Sequence, residues 1–204
     1  MRLGSLILAG GRSTRMGRPK ESLPFAGETL LARTVATMAS CTTPVVVAAR
    51  RDQSLPTLAH DVDRIDDERT DRGPLPAIAG ALRFLREQRG FTDRDAVFVT
   101  GCDAPFLSAD VVRFLAARLG DTSLVMPRAG DFAQPLCAVW RLDTLAAIDT
   151  LLAQDVLAPH RIAGLVTTRI VAADELRAVD PELRSLRNVN SPADYERALA
   201  DHRP

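Results

Sequence analysis

Short aliphatic and β-branched runs alternate with stretches of helical spacing along most of this chain, and that alternation limits the fold more than any other feature. Leu3 to Ala9 reads as a buried strand ended by Gly10 and Gly11. Leu30, Leu31, Val35 and Met38 recur at helical spacing over Leu30 to Met38, after which Pro44 opens the strand Val45 to Ala49. A shorter strand includes Val62 to Ile65. Gly73 and Pro74 precede a helix from Leu75 to Arg86, and Ala96 to Thr100 is the next strand. Ser108 is placed to N-cap a helix running to Leu119, with Asp110 in its first turn. Ser123 to Met126 and Leu136 to Trp140 read as strands around a turn at Ala129 to Asp131, followed by a helix over Asp143 to Leu152 and an edge strand over Thr167 to Val171. Ser191, Pro192 and Asp194 start a final helix through Ala200. Strands alternating with helices imply parallel crossovers, and hence an open, mostly parallel α/β sheet with helices on both faces. In such sheets ligands bind beyond the carboxyl ends of the strands.

The length of 204 residues leads us to expect a single domain over 1–204, with no repeat, low-complexity tract or linker; the polar stretch Asp63 to Arg72 reads as a loop. Acidic and basic residues balance at 26 each, so there is no long-range attraction for a nucleic acid and any anion site must be local. Cys41, Cys102 and Cys137 are scattered and fit neither a disulfide framework nor, with His60, His160 and His202, a zinc spacing. Leu3 to Ala9 is too short for a signal sequence, and no apolar run is long enough to span a membrane. The expectation is a cytoplasmic protein without membrane or nucleic-acid partners.

The segment after the first strand, Leu8 to Lys20, reads LAGGRSTRMGRPK. Gly10 and Gly11 allow close backbone approach to a ligand, and successive N–H groups there can form an anion-binding nest. Arg12, Arg15, Arg18 and Lys20 add positive charge, and Lys20 is the only lysine among 26 basic residues. A compact ammonium retained in a chain that otherwise uses arginine fits a phosphate contact. The segment is not a Walker A loop, because five residues separate Gly11 from Gly17 and Arg18 and Pro19 follow; GxGxxG is absent too. The plainer alternative is a sharp strand-to-helix turn with soluble arginines.

Asp103 follows the strand Ala96 to Thr100 and Gly101, where a carboxylate opposite a phosphate loop is suited to Mg²⁺. An ordinary turn before Pro105 is the competing explanation. Asp66, Asp67 and Glu68 are placed to meet base or ribose hydroxyls, and Gly73 and Pro74 to admit a nucleoside, although such loop charges are commonly only solvated. Asn188 and Asn190, two apart in an extended segment, put both amides on one side, or else simply cap a turn. Trp140 and Phe132 read as core or rim positions rather than a stacking platform.

Together these residues resemble the molybdenum cofactor guanylyltransferase family, the MobA-like branch of the nucleotidyltransferases. LAGGRSTRMGRPK matches its LAGGxSxRMGxxK signature, and GPL at Gly73 to Leu75, GCDAPFL at Gly101 to Leu107, QPLCAVW at Gln134 to Trp140 and NVNSPADY at Asn188 to Tyr195 follow in family order. The resemblance implies a three-layer, Rossmann-like fold of GT-A type. It implies that Leu8, Ala9, Gly10, Gly11 and Arg12 border the guanine nucleotide, that Lys20 and Arg15 contact its phosphates, and that Asp103 binds Mg²⁺. Asp67 or Asp66 takes an acidic nucleotide-site position, and Asn188 and Asn190 lie toward a pterin. Gln134 stands where the family often has His, and Ala48 and Ala49 where it often has Asn.

The implied reaction transfers GMP from GTP to the terminal phosphate of molybdopterin or molybdenum cofactor and releases pyrophosphate, with Lys20, Arg15 and Asp103 as catalytic groups. Transient contact with proteins that deliver or accept the cofactor is compatible with it. Two other readings stay open: a transferase of the same fold using CTP or a sugar-phosphate acceptor, and a non-catalytic nucleotide-binding module.

Overall fold

In the computed structural model, which describes residues 1–11, 16–67 and 72–202, the first apolar run becomes the strand around which the sheet is organised. The strands are β1 (Leu3–Leu8), β2 (Pro24–Phe25), β3 (Glu28–Thr29), β4 (Val45–Ala49), β5 (Asp63–Asp66), β6 (Ala96–Gly101), β7 (Leu124–Ala129), β8 (Phe132–Ala133), β9 (Cys137–Arg141) and β10 (Thr168–Val171). The α-helices are α1 (Leu30–Ala39), α2 (Leu75–Arg89), α3 (Ala109–Ala116), α4 (Leu145–Ala153), α5 (Ala173–Leu176) and α6 (Pro192–Asp201).

Among the described residues the main sheet runs β10-β7-β9-β6-β1-β4-β5, with β8 paired to β7. β1 lies parallel to β4 and β6, β4 to β5, and β7 to β10, whereas β9 is antiparallel to both β6 and β7. The reversal has a local cause. β7 turns back through Gly130, whose φ of 57° suits glycine, and no helix intervenes to carry the chain across the sheet.

Successive residues of a strand face opposite sides, so the buried pair Leu6 and Ile7 feeds two cores. Leu6, Val46, Val97 and Val99 pack with Leu75, Ile78, Leu82 and Leu85 of α2 and Ile148 and Leu151 of α4. Ile7, Val45, Val47 and Phe98 pack with Leu31, Val35 and Met38 of α1, Val111, Val112 and Leu115 of α3, and Leu176 of α5. Helices therefore cover both faces, as a parallel sheet of continuous apolar strands requires. Caps fix several starts: the side chains of Thr29, Ser108 and Ser191 accept the N–H of Ala32, Val111 and Asp194.

A smaller cluster has direct consequences for the site. Met16, Leu23, Phe25 and Leu30 pack with Val189 and Ala198, which draws the end of the glycine loop and the chain's last helix together. Its hairpin, β2–β3, turns at Ala26 and Gly27, both with positive φ.

Several expectations are corrected here. Strand β5, paired to β4 and alternating in exposure, agrees with the short strand expected over Val62 to Ile65, so the loop expected from Asp63 to Arg72 starts only after Asp66. The helix after Ser108 stops at Ala116, and the helix expected from Asp143 starts as a 3-10 turn, Leu142–Thr144. Trp140 is a core residue, its indole N–H donating to Pro135 O at 3.1 Å, but Phe132 is 75% exposed beside the β7–β8 turn.

Candidate active site

The chain leaves β1 for β4 and β5 on one side and returns to place β6 on the other, so the sheet order reverses beside β1. Loops leaving neighbouring strands diverge at such a point and open a crevice beyond their carboxyl ends. A cavity of about 450 Å³ lies here. Leu8, Ala9, Gly10 and Gly11 reach it from β1, Gly101, Cys102 and Asp103 from β6, and Asp67 from β5. Gly73 and Pro74, which precede α2, complete the wall with Lys20, Leu136 and Asn190.

Strand pairing continues into these loops and fixes their exit directions. Ala9 N–H donates to Ala48 O at 2.8 Å, Cys102 N–H to Leu8 O at 3.1 Å, and Asp67 N–H to Ala49 O at 2.7 Å. Two glycines are required by what they face. A methyl group at Gly10 would come 2.9 Å from Asp67 Oδ2, and one at Gly101 would collide with the Asp103 carboxylate. The absent side chains are what let both acids approach the cavity.

Lys20 is the meeting point of the cavity's polar groups. It stands on the 3-10 turn Lys20–Ser22, and its Nζ donates to Asp103 Oδ2 at 2.8 Å and to Asn190 Oδ1 at 2.9 Å. A backbone bond from Val189 N–H to Asp103 O, 2.8 Å, holds the C-terminal segment against the β6 loop. Beside them the Cys102 thiol is raised far above the usual range, first by burial and then by the charges of Asp103 and Glu21, so it is a neutral wall rather than a nucleophile.

Other residues expected at the site lie elsewhere. Asp66 faces Arg51 and Arg64 at 3.9 and 4.0 Å, and Asp67, not Asp66, lines the cavity. Asn188 lines a separate hollow of about 180 Å³ with Phe106 and Arg197. The segment around it has no strand partner, so the two-residue period that would have set both amides on one side is not imposed; Val189 turns into the small core and only Asn190 reaches Lys20. Arg12, Arg15 and Glu68 lie outside the described residues. Sequence reasoning did not single out Leu136 or Cys102, although both fall in segments it quoted.

Among the described residues no three His, Cys, Asp or Glu side chains gather to cage a metal. Asp103, on the cavity wall beside Lys20, is a donor suited to a hard ion such as magnesium, which takes its remaining ligands from water and substrate phosphates.

The model of the MobA-like NTP transferase domain matches residues 5–166, which include every cavity residue except Asn190. The chain belongs to this family. A probable molybdenum cofactor guanylyltransferase of Mycobacterium tuberculosis (strain ATCC 25618 / H37Rv) is 37% identical over 195 residues, covering 94% of this chain and 90% of the relative. The crystal structure of molybdopterin-guanine dinucleotide biosynthesis protein A from Archaeoglobus fulgidus superposes with a TM-score of 0.78 at 21% identity, covering 98% of each chain. That of 2-C-methyl-D-erythritol 4-phosphate cytidylyltransferase from Thermus thermophilus gives 0.71 at 15% identity, again over 98% of each. The MobA-like chain thus shares a Rossmann-like fold with nucleotidyltransferases named for different products, a molybdopterin-guanine dinucleotide and a cytidylyl derivative.

Proposed function

We propose that this chain, acting as one domain over residues 1–204, transfers GMP from GTP to the terminal phosphate of molybdopterin or molybdenum cofactor. The observation that carries the reading is Lys20 bridging Asp103 and Asn190 on the wall of a cavity whose other side is a glycine loop. The guanylyltransferase name of a relative matched over nearly the whole chain supports the choice of base and acceptor.

An oxygen of the acceptor phosphate attacks the α-phosphorus of GTP in line; that P–O bond forms as the bond to the β-phosphate bridge breaks, and pyrophosphate leaves. Both reactants are anions, so the residues must first screen their repulsion and then hold them aligned. Asp103 would hold magnesium, which would supply positive charge to offset the negative charge of the phosphates. Lys20 adds a mobile ammonium, and Gly10 and Gly11 allow phosphate or sugar to approach the backbone. Asp67 stands against Gly10, where it can accept hydrogen bonds from base or ribose. Arg12 and Arg15, as neighbours in the loop, would reinforce the phosphate contacts. An acceptor phosphate is already ionised near neutral pH and needs no general base.

No helix among the described residues is long and apolar enough to cross a membrane. Free Cys41, Cys102 and Cys137 suit a reducing cytoplasm, and balanced charge argues against a nucleic-acid partner. The test is pyrophosphate release from each of the four nucleoside triphosphates with magnesium, offered molybdopterin or a sugar phosphate. The reading expects release with GTP and molybdopterin; equal product from CTP overturns the guanylyl assignment, and a preference for the sugar phosphate overturns the acceptor.

A further inference from the structure

Behind the cavity, a buried amide joins three segments that the reaction needs in register. Gln53 follows β4 in a tight turn, its N–H donating to Arg50 O at 3.0 Å while its Oε1 accepts the Arg50 N–H at 3.1 Å. Its Nε2 donates to Ala9 O at 2.9 Å and to Glu21 Oε1 at 2.5 Å. The amide orientation is fixed by this set, since a reversed amide would turn its oxygen onto two acceptors. Gln53 and Glu21 are only 6% and 3% exposed. Arg50 continues the same line, its Nη1 donating to Gly10 O at 3.2 Å and Gly11 O at 3.4 Å.

We propose that Gln53, with Arg50 beside it, is a positioning residue for the triphosphate, fixing the glycine loop and the Lys20 turn in one relation from the side away from the nucleotide. The inference rests on the nucleotide-site reading above and extends it to residues outside the cavity wall.

Three successive carbonyls, those of Ala9, Gly10 and Gly11, are held by Gln53 and Arg50. In a trans peptide the next N–H points opposite to the carbonyl, so pinning Ala9 O and Gly10 O turns the N–H groups of Gly10 and Gly11 the other way. Both residues line the cavity, and neither N–H has a protein acceptor among the described residues. Two adjacent donors aimed together make a nest for a phosphate oxygen. The second arm of Gln53 engages Glu21, the residue directly after Lys20, so displacement of the loop and displacement of the ammonium are mechanically tied. A buried carboxylate is costly to fold and adds unwanted negative charge near an anion site. Its presence is explained if its task is to anchor the lysine turn to this amide.

The test uses the full chain and two substitutions. Gln53→Met keeps the length of the side chain and removes both donors; Arg50→Met alters a partly exposed residue and keeps the inference testable if the buried change prevents folding. Each is titrated with GTP, CTP and inorganic tripolyphosphate. Loss of hydrogen bonds to an aligned loop is expected to weaken GTP and tripolyphosphate by about tenfold each, with the GTP to CTP affinity ratio unchanged. In turnover, KM for GTP rises and kcat falls, while KM for the acceptor stays within about twofold of the parent. Unaltered tripolyphosphate affinity in whichever variants fold overturns the inference, and so does a shifted GTP to CTP ratio, which marks general loosening of the site. If the unsubstituted chain binds neither GTP nor tripolyphosphate, the nucleotide-site reading fails first and takes this one with it.

Discussion

Lys20 Nζ lies 2.8 Å from Asp103 Oδ2 although 83 positions separate them in sequence. The two side chains keep 18% and 19% of their exposure, so the pair is neutralised without being sealed from an incoming ligand. On the proposed reading, a dication brought to Asp103 by a nucleotide would compete with the ammonium for the same oxygen, and charge balance would favour moving Lys20 onto the phosphates that arrive with it.

The first expected outcome concerns the carboxylate. Asp103→Asn preserves shape, and the backbone bond from Val189 does not use the side chain, so the fold should hold. If Asp103 holds the metal, its anionic ligand is lost, and kcat should fall by about 10²- to 10³-fold, the usual size for removing a group that stabilises developing charge. Pyrophosphate release at saturating magnesium measures it; full activity would remove Asp103 as the metal ligand.

The second concerns the lysine. Lys20→Ala should raise KM for GTP and lower kcat together, each by about tenfold, because the ammonium contributes in both ground and transition states. Lys20→Arg should recover little. A planar guanidinium cannot reproduce a compact ammonium donating at once to Asp103 and Asn190, 2.8 and 2.9 Å away. Recovery by arginine to within about twofold of the parent would show that only charge matters.

A third outcome separates the two loop glycines. Gly10→Ala places a methyl 2.9 Å from Asp67 Oδ2, the far end of a flexible side chain, so the acid must turn aside and leave its place against the loop. Gly11→Ala meets no atom within 4 Å. Nucleotide affinity should therefore drop severalfold more in the first than in the second, with thermal stabilities close to each other and to the parent. Equal affinities would detach Asp67 from nucleotide recognition.

What the sequence revealed and what it withheld have the same physical origin. β1, β4 and β6 are uninterrupted apolar runs bounded by Gly or Pro, so burial on both faces wrote them plainly into the chain. Lys20 and Asp103 were legible because each sits in or just beyond a segment punctuated by glycine, whereas Asp67 stood only as one of two candidates in an acidic run. Asp66, the alternative to Asp67, and Asn188 fall outside the cavity for want of register: one residue decides whether a side chain meets the cavity or a neighbouring arginine, and local pattern does not count that finely. Gln53 and Glu21 left no mark at all, since an isolated polar residue, whether after a strand as Gln53 is or in a short turn as Glu21 is, looks the same solvated or buried. The hairpin β2–β3 was hidden by its brevity, although Gly27 beside Ala26 is a two-residue turn of the type hairpins favour.

The last expected outcome lies away from the site and tests what holds β1 in place. Asp95 accepts the N–H of Arg2 at 2.7 Å, the N–H of Thr92 at 2.9 Å and the Thr92 hydroxyl at 3.1 Å, and Ala96 N–H donates to Arg2 O at 3.0 Å. Burial alone would raise its pKa, but these hydrogen bonds favour the charged form more strongly and bring it from 3.8 down to about 2. A carboxyl depressed on folding adds stability above its unfolded pKa, and that contribution is lost as pH falls through the folded value. Arg2 is about half exposed (49%), and screening there leaves a gain on the order of 1 kcal/mol near neutral pH. Asp95→Asn should therefore lower the urea midpoint at pH 7, and the gap between variant and parent should narrow steadily between about pH 4 and pH 2. A gap that stays constant across that range would mean that the charge of Asp95 does not stabilise the junction of β1 and β6. GTP affinity should be the same in both proteins, because Asp95 precedes β6 at the end of the sheet opposite the cavity.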